Sequence, residues 1–401
     1  MHPIFLVLQY ARLDILFMIQ TLSILNYRSI KRLSLSLDVL NVITGSNASG
    51  KTNLYNALRL LSRSCYGNVN SALAIEGGIQ SALWAGPDAE PISRNDTCVE
   101  GAVRSCPVRI KLGFSTNDLG YSISFGLPAI KNSAFVLDPE IKHESIFSGC
   151  YYHPSRAILE RKGHLLRYFM NNKWHVIDKN IPIFNTIFEQ YVDPLNAPDV
   201  SSIKNIISSW RFYDNFRTDR ESSIRQPQLG TRTLVLHHDG YDLAAAIQTI
   251  IEVGDVDSFD RFVDKAFPGC RLRISCSDDG YFSLALTQNG LLRPLTGFEL
   301  SDGSLRFILL LAALLSPRPP SLLVLNEPET SLNSELLPCL AELLSFVSET
   351  SQVIIVSHSI TLIDLIKKYR CTNIVELEKV YGRTMVKGAS LLDSPTWYWP
   401  D

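Results

Sequence analysis

Net charge is almost missing from this chain. Its 38 lysines and arginines meet 40 aspartates and glutamates, leaving −2 at neutral pH and a pI near 6.5. No global basic field announces nucleic acid or an anionic membrane, so any such contact must be a local patch. Paired cysteines are missing too. The eight cysteines, at 65, 98, 106, 150, 270, 276, 339 and 371, form no CxxC pair and no Cys/His cluster, which argues against zinc and fits reduced thiols in a cytosol. No apolar run reaches membrane-spanning length. In the apolar first seventeen residues, Arg12 and Asp14 interrupt the run, and the basic n-region and small-residue cleavage site of a signal peptide are lacking. Residues 1–17 read either as an extra helix packed on the core or, the favoured expectation, as a start-site extension ahead of Met18. No repeat of fixed period is present, which excludes a solenoid. What remains is 401 residues, 46% hydrophobic and 19% charged, enough for a globular core with an insertion.

The most informative stretch is Gly45-Ser46-Asn47-Ala48-Ser49-Gly50-Lys51-Thr52, with Asn53 next. Strand-like Leu40-Asn41-Val42-Ile43-Thr44 runs into it. A segment with apolar residues at 54, 58 and 61, one face of a helix, runs out. Glycines let the backbone turn its N–H groups inward, and the helix N-terminus adds partial positive charge where phosphates would sit. Lys51 would reach the β- and γ-phosphates of ATP, and the Thr52 hydroxyl would ligate Mg²⁺.

Organisation follows from periodicity. Residues 18–95 read as strand, turn, strand, phosphate loop and helix. Residues 96–294 read as a β-rich, then helical insertion, with alternating strands at 106–114 and 120–126, short strands around 135–137 and 165–169, helices at 203–212, 243–251 and 256–267, and strands at 271–275 and 281–287. In 295–401, Leu305 to Leu315 is a very apolar helix, and Leu322–Leu325 and Val353–Val356 are continuous apolar runs expected of parallel strands covered on both faces. A helix from 334 to 347 must keep Pro338 in its first turn.

Leu322-Leu323-Val324-Leu325-Asn326-Glu327 is a buried strand ending in an acid, where a phosphate-loop enzyme needs a group to polarise the attacking water. Glu327 takes that role. Asn326 stands where an aspartate usually holds Mg²⁺ through water; it keeps one acceptor oxygen without the charge, so weaker metal binding or slow turnover is expected. Ser301-Asp302-Gly303-Ser304 precedes the apolar helix and reads equally as an ordinary N-cap. Ser357-His358-Ser359 ends the next strand. Trp210 to Arg220 interleaves arginine with aromatics, with Arg225 and Arg232 beyond, as nucleic-acid contacts do, or else as a helix end with core aromatics and paired arginines.

The order of these parts resembles ABC-type ATPases of the recombination- and SMC-like branch, similar to RecF and to the ATPase half of overcoming-lysogenization-defect proteins. The likeness covers about 18–95 and 295–380. It implies an α/β P-loop NTPase of ABC-ATPase type, two lobes with an inserted β-rich and helical middle lobe. It further implies that Ser301 and Gly303 are a signature contacting the γ-phosphate held by a second subunit, that His358 is the switch histidine, and that Thr330-Ser331-Leu332 is a D-loop. The implied assembly is a homodimer across ATP and Mg²⁺, in the cytoplasm and off the membrane, coupled to DNA or RNA or to a separate nuclease or toxin effector, in DNA repair or anti-phage defence. A slow nucleotide-dependent scaffold is the alternative. Departures from the pattern are Asn326, a Q-loop glutamine represented only by Gln80, and the lack of a coiled coil. With about forty residues after His358, no toprim-like nuclease is expected. A transporter ATPase fits poorly with so large and β-rich an insertion.

Overall fold

The computed structural model describes residues 18–67, 69–87, 108–128, 134–135, 137–194, 197–389 and 394–399. The seventeen N-terminal residues, the linker through Asp96 and the start of the 106–114 strand lie outside them.

The described chain forms two compact units, and neither is continuous in sequence. One comprises Asp38–Thr44 and Ser209–Ile374. Its centre is a parallel sheet in the order Arg211–Tyr213, Leu322–Asn326, Gln352–Val356, Leu40–Gly45. Leu322 to Leu325 and Val353 to Ile355 are fully buried, as parallel strands covered on both faces must be. The helix Asp302–Leu314 is buried along its whole length from Leu305, so its all-round apolar sequence is that of a core helix. Helices Leu243–Val253, Val256–Ala266 and Leu337–Val347 complete this core. Pro338 sits in the first turn of the last, after a 3₁₀ turn at Ser334–Leu336. Asn41, buried in the phosphate-loop strand, has both ends of its amide engaged. Its Nδ2 donates to the carbonyls of Asp38 (2.6 Å) and Val353 (3.3 Å), and its Oδ1 accepts from the Asp38 N–H (2.8 Å) and Asn373 Nδ2 (2.9 Å). A small antiparallel sheet built on Cys270–Cys276 and Tyr281–Gln288 belongs to the same unit.

The other unit takes in residues 18–37, Gly45–Ser208 and the chain after Val375. It holds an eight-stranded antiparallel sheet that begins with Ile30–Ser36 and Thr21–Tyr27 and continues as a meander from Ile110–Ser115 to Lys173–Asp178. The insertion strands therefore extend the sheet begun by the first hairpin, with Leu22 opposite Phe114 and Ile24 opposite Leu112. The stretch 209–294 packs in the first unit. Compact units thus cut the chain differently from the segments 18–95, 96–294 and 295–401, because backbone pairing joins strands distant in sequence. Inside the sheet, Arg161 and Glu144 form an ion pair at 2.8 Å with both side chains fully buried. Tyr121 donates to the same carboxylate, and the remaining Arg161 N–H groups find the carbonyls of Gly163, Pro182 and Asn185.

Two local expectations need correcting. Phe135 and Leu137 lie in a turn and are exposed rather than in a strand, and Val136 between them lies outside the described residues. The helix placed at 203–212 spans Pro198–Ser209 instead, and Arg211–Tyr213 pairs in parallel with Leu323–Leu325. A three-residue strand is too short for periodicity to reveal.

Candidate functional site

The phosphate loop begins where the strand Leu40–Gly45 ends. Gly45 (φ 145°), Ala48 (φ 63°) and Gly50 (φ 107°) have positive φ, and such reversals in succession turn backbone N–H groups toward one concavity. Glycine is obligatory at both ends. A Cβ on Gly45 would lie 2.2 Å from the Leu377 carbonyl oxygen, and one on Gly50 would lie 2.0 Å from Thr384 Oγ1. Ser46, Asn47 and Ala48 are exposed at the crest, whereas Ser49, Gly50 and Lys51 are buried. Lys51 folds back over the loop, donating to the carbonyls of Gly45 (2.7 Å) and Ser46 (3.0 Å).

The helix Lys51–Ser64 starts at Gly50 with no side-chain cap and no acidic residue in its first turn. Its terminal N–H groups and positive dipole end are not neutralised by the helix itself, the condition for receiving an anion. Thr52 is exposed in that turn. Asn53 points away from the crest, donating to Ser29 Oγ at 2.6 Å. Ser29 Oγ also bonds Thr384 Oγ1 (2.7 Å), which donates to the Ser49 carbonyl (2.8 Å). Ser29 and Thr384 thus brace the loop, a role that sequence reasoning missed. Nothing local to a serine in a turn or a threonine in the strand Arg383–Val386 announces it.

In the other unit, the acidic strand ends at Asn326, and Glu327 follows with φ 48°. A left-handed non-glycine is strained. It is held by its N–H donating to the Val356 carbonyl at 2.8 Å and by its carbonyl accepting from the Thr330 N–H at 3.1 Å. This turns Glu327 out of the strand toward the histidine turn, where His358 Nδ1 lies 3.2 Å from Glu327 Oε1. Glu327 and His358 are therefore brought together, 31 residues apart in sequence. Both are half-exposed.

Ser301 caps the core helix, its Oγ accepting from the Ser304 N–H at 3.1 Å, and it stays exposed. Gly303 is required by close approach, since a Cβ there would meet the Ser331 carbonyl oxygen at 2.9 Å. The turn that leads into this helix is held from behind by Arg225. This guanidinium is buried and donates to the carbonyls of Gly297 (2.8 Å) and Leu300 (2.7 Å) and to Asp302 Oδ1 (2.5 Å).

The arginine and aromatic stretch from Trp210 to Arg220 lies in the same unit. Trp210, Phe212, Tyr213 and Phe216 are buried core residues, so they cannot stack on bases. Arg217 pairs with Asp219 and Glu221, and Arg232 with Glu252. The core-aromatic part of the second alternative is met, and Arg217 is paired with neighbouring acids as that alternative requires, while Arg220 is exposed.

The donor set fits a nucleotide. A cradle that a Cβ would fill, an uncapped helix N-terminus and a lysine at the loop suit phosphate oxygens. Within the loop's own unit, exposed Thr52 presents a hydroxyl, a hard neutral donor of the kind Mg²⁺ takes.

A family model described as "AAA domain, putative AbiEii toxin, Type IV TA system" matches residues 40–364, from the phosphate-loop strand past His358. No curated protein matches the chain. Solved structures similar to it include an SMC head bound to the C-winged helix domain of ScpA, at 14% identity over 93% of this chain and 98% of that one, with a TM-score of 0.51. Others are an SMC head with an extended coiled coil bound to the C-terminal domain of ScpA from Pyrococcus furiosus (13%, 94% and 97%, 0.47) and the SMC head domain from Thermotoga maritima (13%, 93% and 100%, 0.41). Among the described residues no helix is long and apolar enough to cross a membrane.

Proposed function

We propose that this chain, which belongs to the AAA-domain family described as putative AbiEii toxin, Type IV TA system, and has the α/β P-loop fold of an SMC head, binds ATP with Mg²⁺ and hydrolyses it. The observation that carries the proposal is the loop Gly45–Thr52, whose glycines admit no side chain and whose helix N-terminus is uncapped. In this mechanism the loop N–H groups and Lys51 hold the phosphates, and Lys51 exchanges its carbonyl partners for phosphate oxygens. Mg²⁺ held by Thr52 and, through water, Asn326 would neutralise phosphate charge. Glu327 takes the proton from the attacking water, and His358 orients the Glu327 carboxylate through the 3.2 Å contact.

The exposed signature supports a second step. Ser301 and Gly303 of one copy complete the γ-phosphate site of another, so ATP is shared across a head-to-head homodimer and hydrolysis releases it. The output passes to DNA or to a separate nuclease or toxin effector, in DNA repair or anti-phage defence; the toxin–antitoxin wording of the family description favours the defence role. Asn326 favours one alternative, a scaffold that holds partners while ATP is bound and turns over slowly. Steady-state ATPase assays with and without DNA separate the two. Strong stimulation supports the coupled ATPase, and a slow, unresponsive rate supports the scaffold. No ATP binding by the purified chain would refute both.

A further inference from the structure

The proposed mechanism leaves one carboxylate beside its catalytic pair without a role. Glu329 lies two residues beyond Glu327, yet its side chain is 9% exposed against 40% for Glu327. Glutamate is rarely so enclosed unless paired. The fully buried Ser357 hydroxyl donates to its Oε1 at 2.5 Å, while Oε2 is buried with no hydrogen-bond partner. Arg306 brings a buried cation to the same turn. This buried guanidinium donates from Nη2 to the carbonyls of Asp214 and Glu327, both at 3.4 Å. Burial pulls its pKa down, and Glu329 is foremost among the carboxylates that oppose the shift.

From Glu329 the contacts run directly to the catalytic histidine turn. Ser357 Oγ, while donating to Glu329, accepts the N–H of Ser359 at 3.0 Å. Ser359 Oγ in turn accepts the Leu362 N–H at 3.2 Å and caps the helix Ile360–Tyr369. His358 is therefore pinned through both chain neighbours. Its Nδ1 lies 3.2 Å from Glu327 Oε1 and 4.0 Å from Glu329 Oε1. A serine hydroxyl can rotate among acceptors; a buried carboxylate leaves it one strong choice.

We infer that Glu329 is a positioning residue for ATP hydrolysis: its carboxylate fixes Ser357, and through Ser357 sets the His358 imidazole against Glu327. The inference rests on the ATPase function proposed above. Nucleotide binding belongs to the loop, so the effect falls on turnover and not on affinity. Misplacing a catalytic pair by a fraction of an ångström costs about tenfold to a hundredfold in rate.

The test uses the full chain with Glu329→Ala, Glu329→Gln, Ser357→Ala and the Glu329→Ala/Ser357→Ala double variant. Glu329→Ala and Ser357→Ala each lower kcat by about tenfold or more, with the ATP dissociation constant unchanged, and the double variant loses no more than the worse single one. Glu329→Gln, which keeps an acceptor oxygen for Ser357, recovers part of the loss. Without nucleotide, amide exchange at Ser359 accelerates in Glu329→Ala, because its acceptor is no longer anchored. A wild-type kcat in Glu329→Ala, unchanged Ser359 exchange, or multiplicative losses in the double variant overturns the inference alone. A wild-type chain that binds and hydrolyses no ATP overturns the proposed function and the inference with it. If Glu329→Ala does not fold, as thermal melting would show, Ser357→Ala and Glu329→Gln give the same decision from kcat.

Discussion

Individual residues set the chemistry, and they divide into those whose side chain acts and those whose side chain must be absent. Lys51 is of the first kind. Its ammonium donates to two loop carbonyls, and in the proposed mechanism phosphate oxygens replace them as acceptors. Lys51→Ala should weaken ATP binding by on the order of 2 kcal/mol or more, about 30-fold, measured by equilibrium titration. Gly50 is of the second kind, and Gly50→Ala should abolish binding by driving a methyl group into Thr384. Asn326 lies between the two, correct in shape but uncharged. Asn326→Asp should tighten Mg²⁺ dependence and raise turnover several-fold, read from ATPase rates across a Mg²⁺ titration. A rate that falls would show that the neutral amide is required.

At the scale of elements, the eight-stranded sheet carries its risk inside. Arg161 and Glu144 are buried together, so removing one strands the other. Arg161→Ala should cost roughly 3–5 kcal/mol in urea denaturation. Nearby, His143 Nε2 contacts Glu160 at 2.9 Å, while its buried Nδ1 has no hydrogen-bond partner. Burial therefore holds the His143 pKa below its ordinary 6.5. Burial pushes the Glu160 carboxyl up, but hydrogen bonds from His143 and Arg167 overcome this and hold it at about 2, below its ordinary 4.5. Both folded pKa values are depressed, so in each case the unfolded chain takes up the proton first. The stability they contribute is present above the unfolded pKa and lost as pH falls, first below 6.5 for His143, then from 4.5 toward about 2 for Glu160. Melting temperatures should drop steadily on acidification, and His143→Asn should flatten the upper part of that slope.

Elements are also where the sequence was easiest to read. The phosphate-loop strand, its helix, the apolar core helix and the two parallel strands follow from periodicity and run length, and they stand as expected. Arg211–Tyr213 could not be read, since its strand character comes from pairing with Leu323–Leu325.

For the whole molecule, what was legible was the order of motifs; what was not was the set of long-range contacts that hold each in place. Thr384 meets Ser49 across 335 residues of chain, Arg225 meets Asp302 across 77, and Ser357 meets Glu329 across 28. No local pattern encodes such pairs. The central proposal, that ATP is shared between two copies, concerns the whole molecule and is tested on it. Light scattering of the Glu327→Gln variant with saturating ATP and Mg²⁺ should report twice the single-chain mass of 44.9 kDa, and Ser301→Arg in the same background should return it to one chain. A single-chain mass for Glu327→Gln at full ATP occupancy would contradict the account.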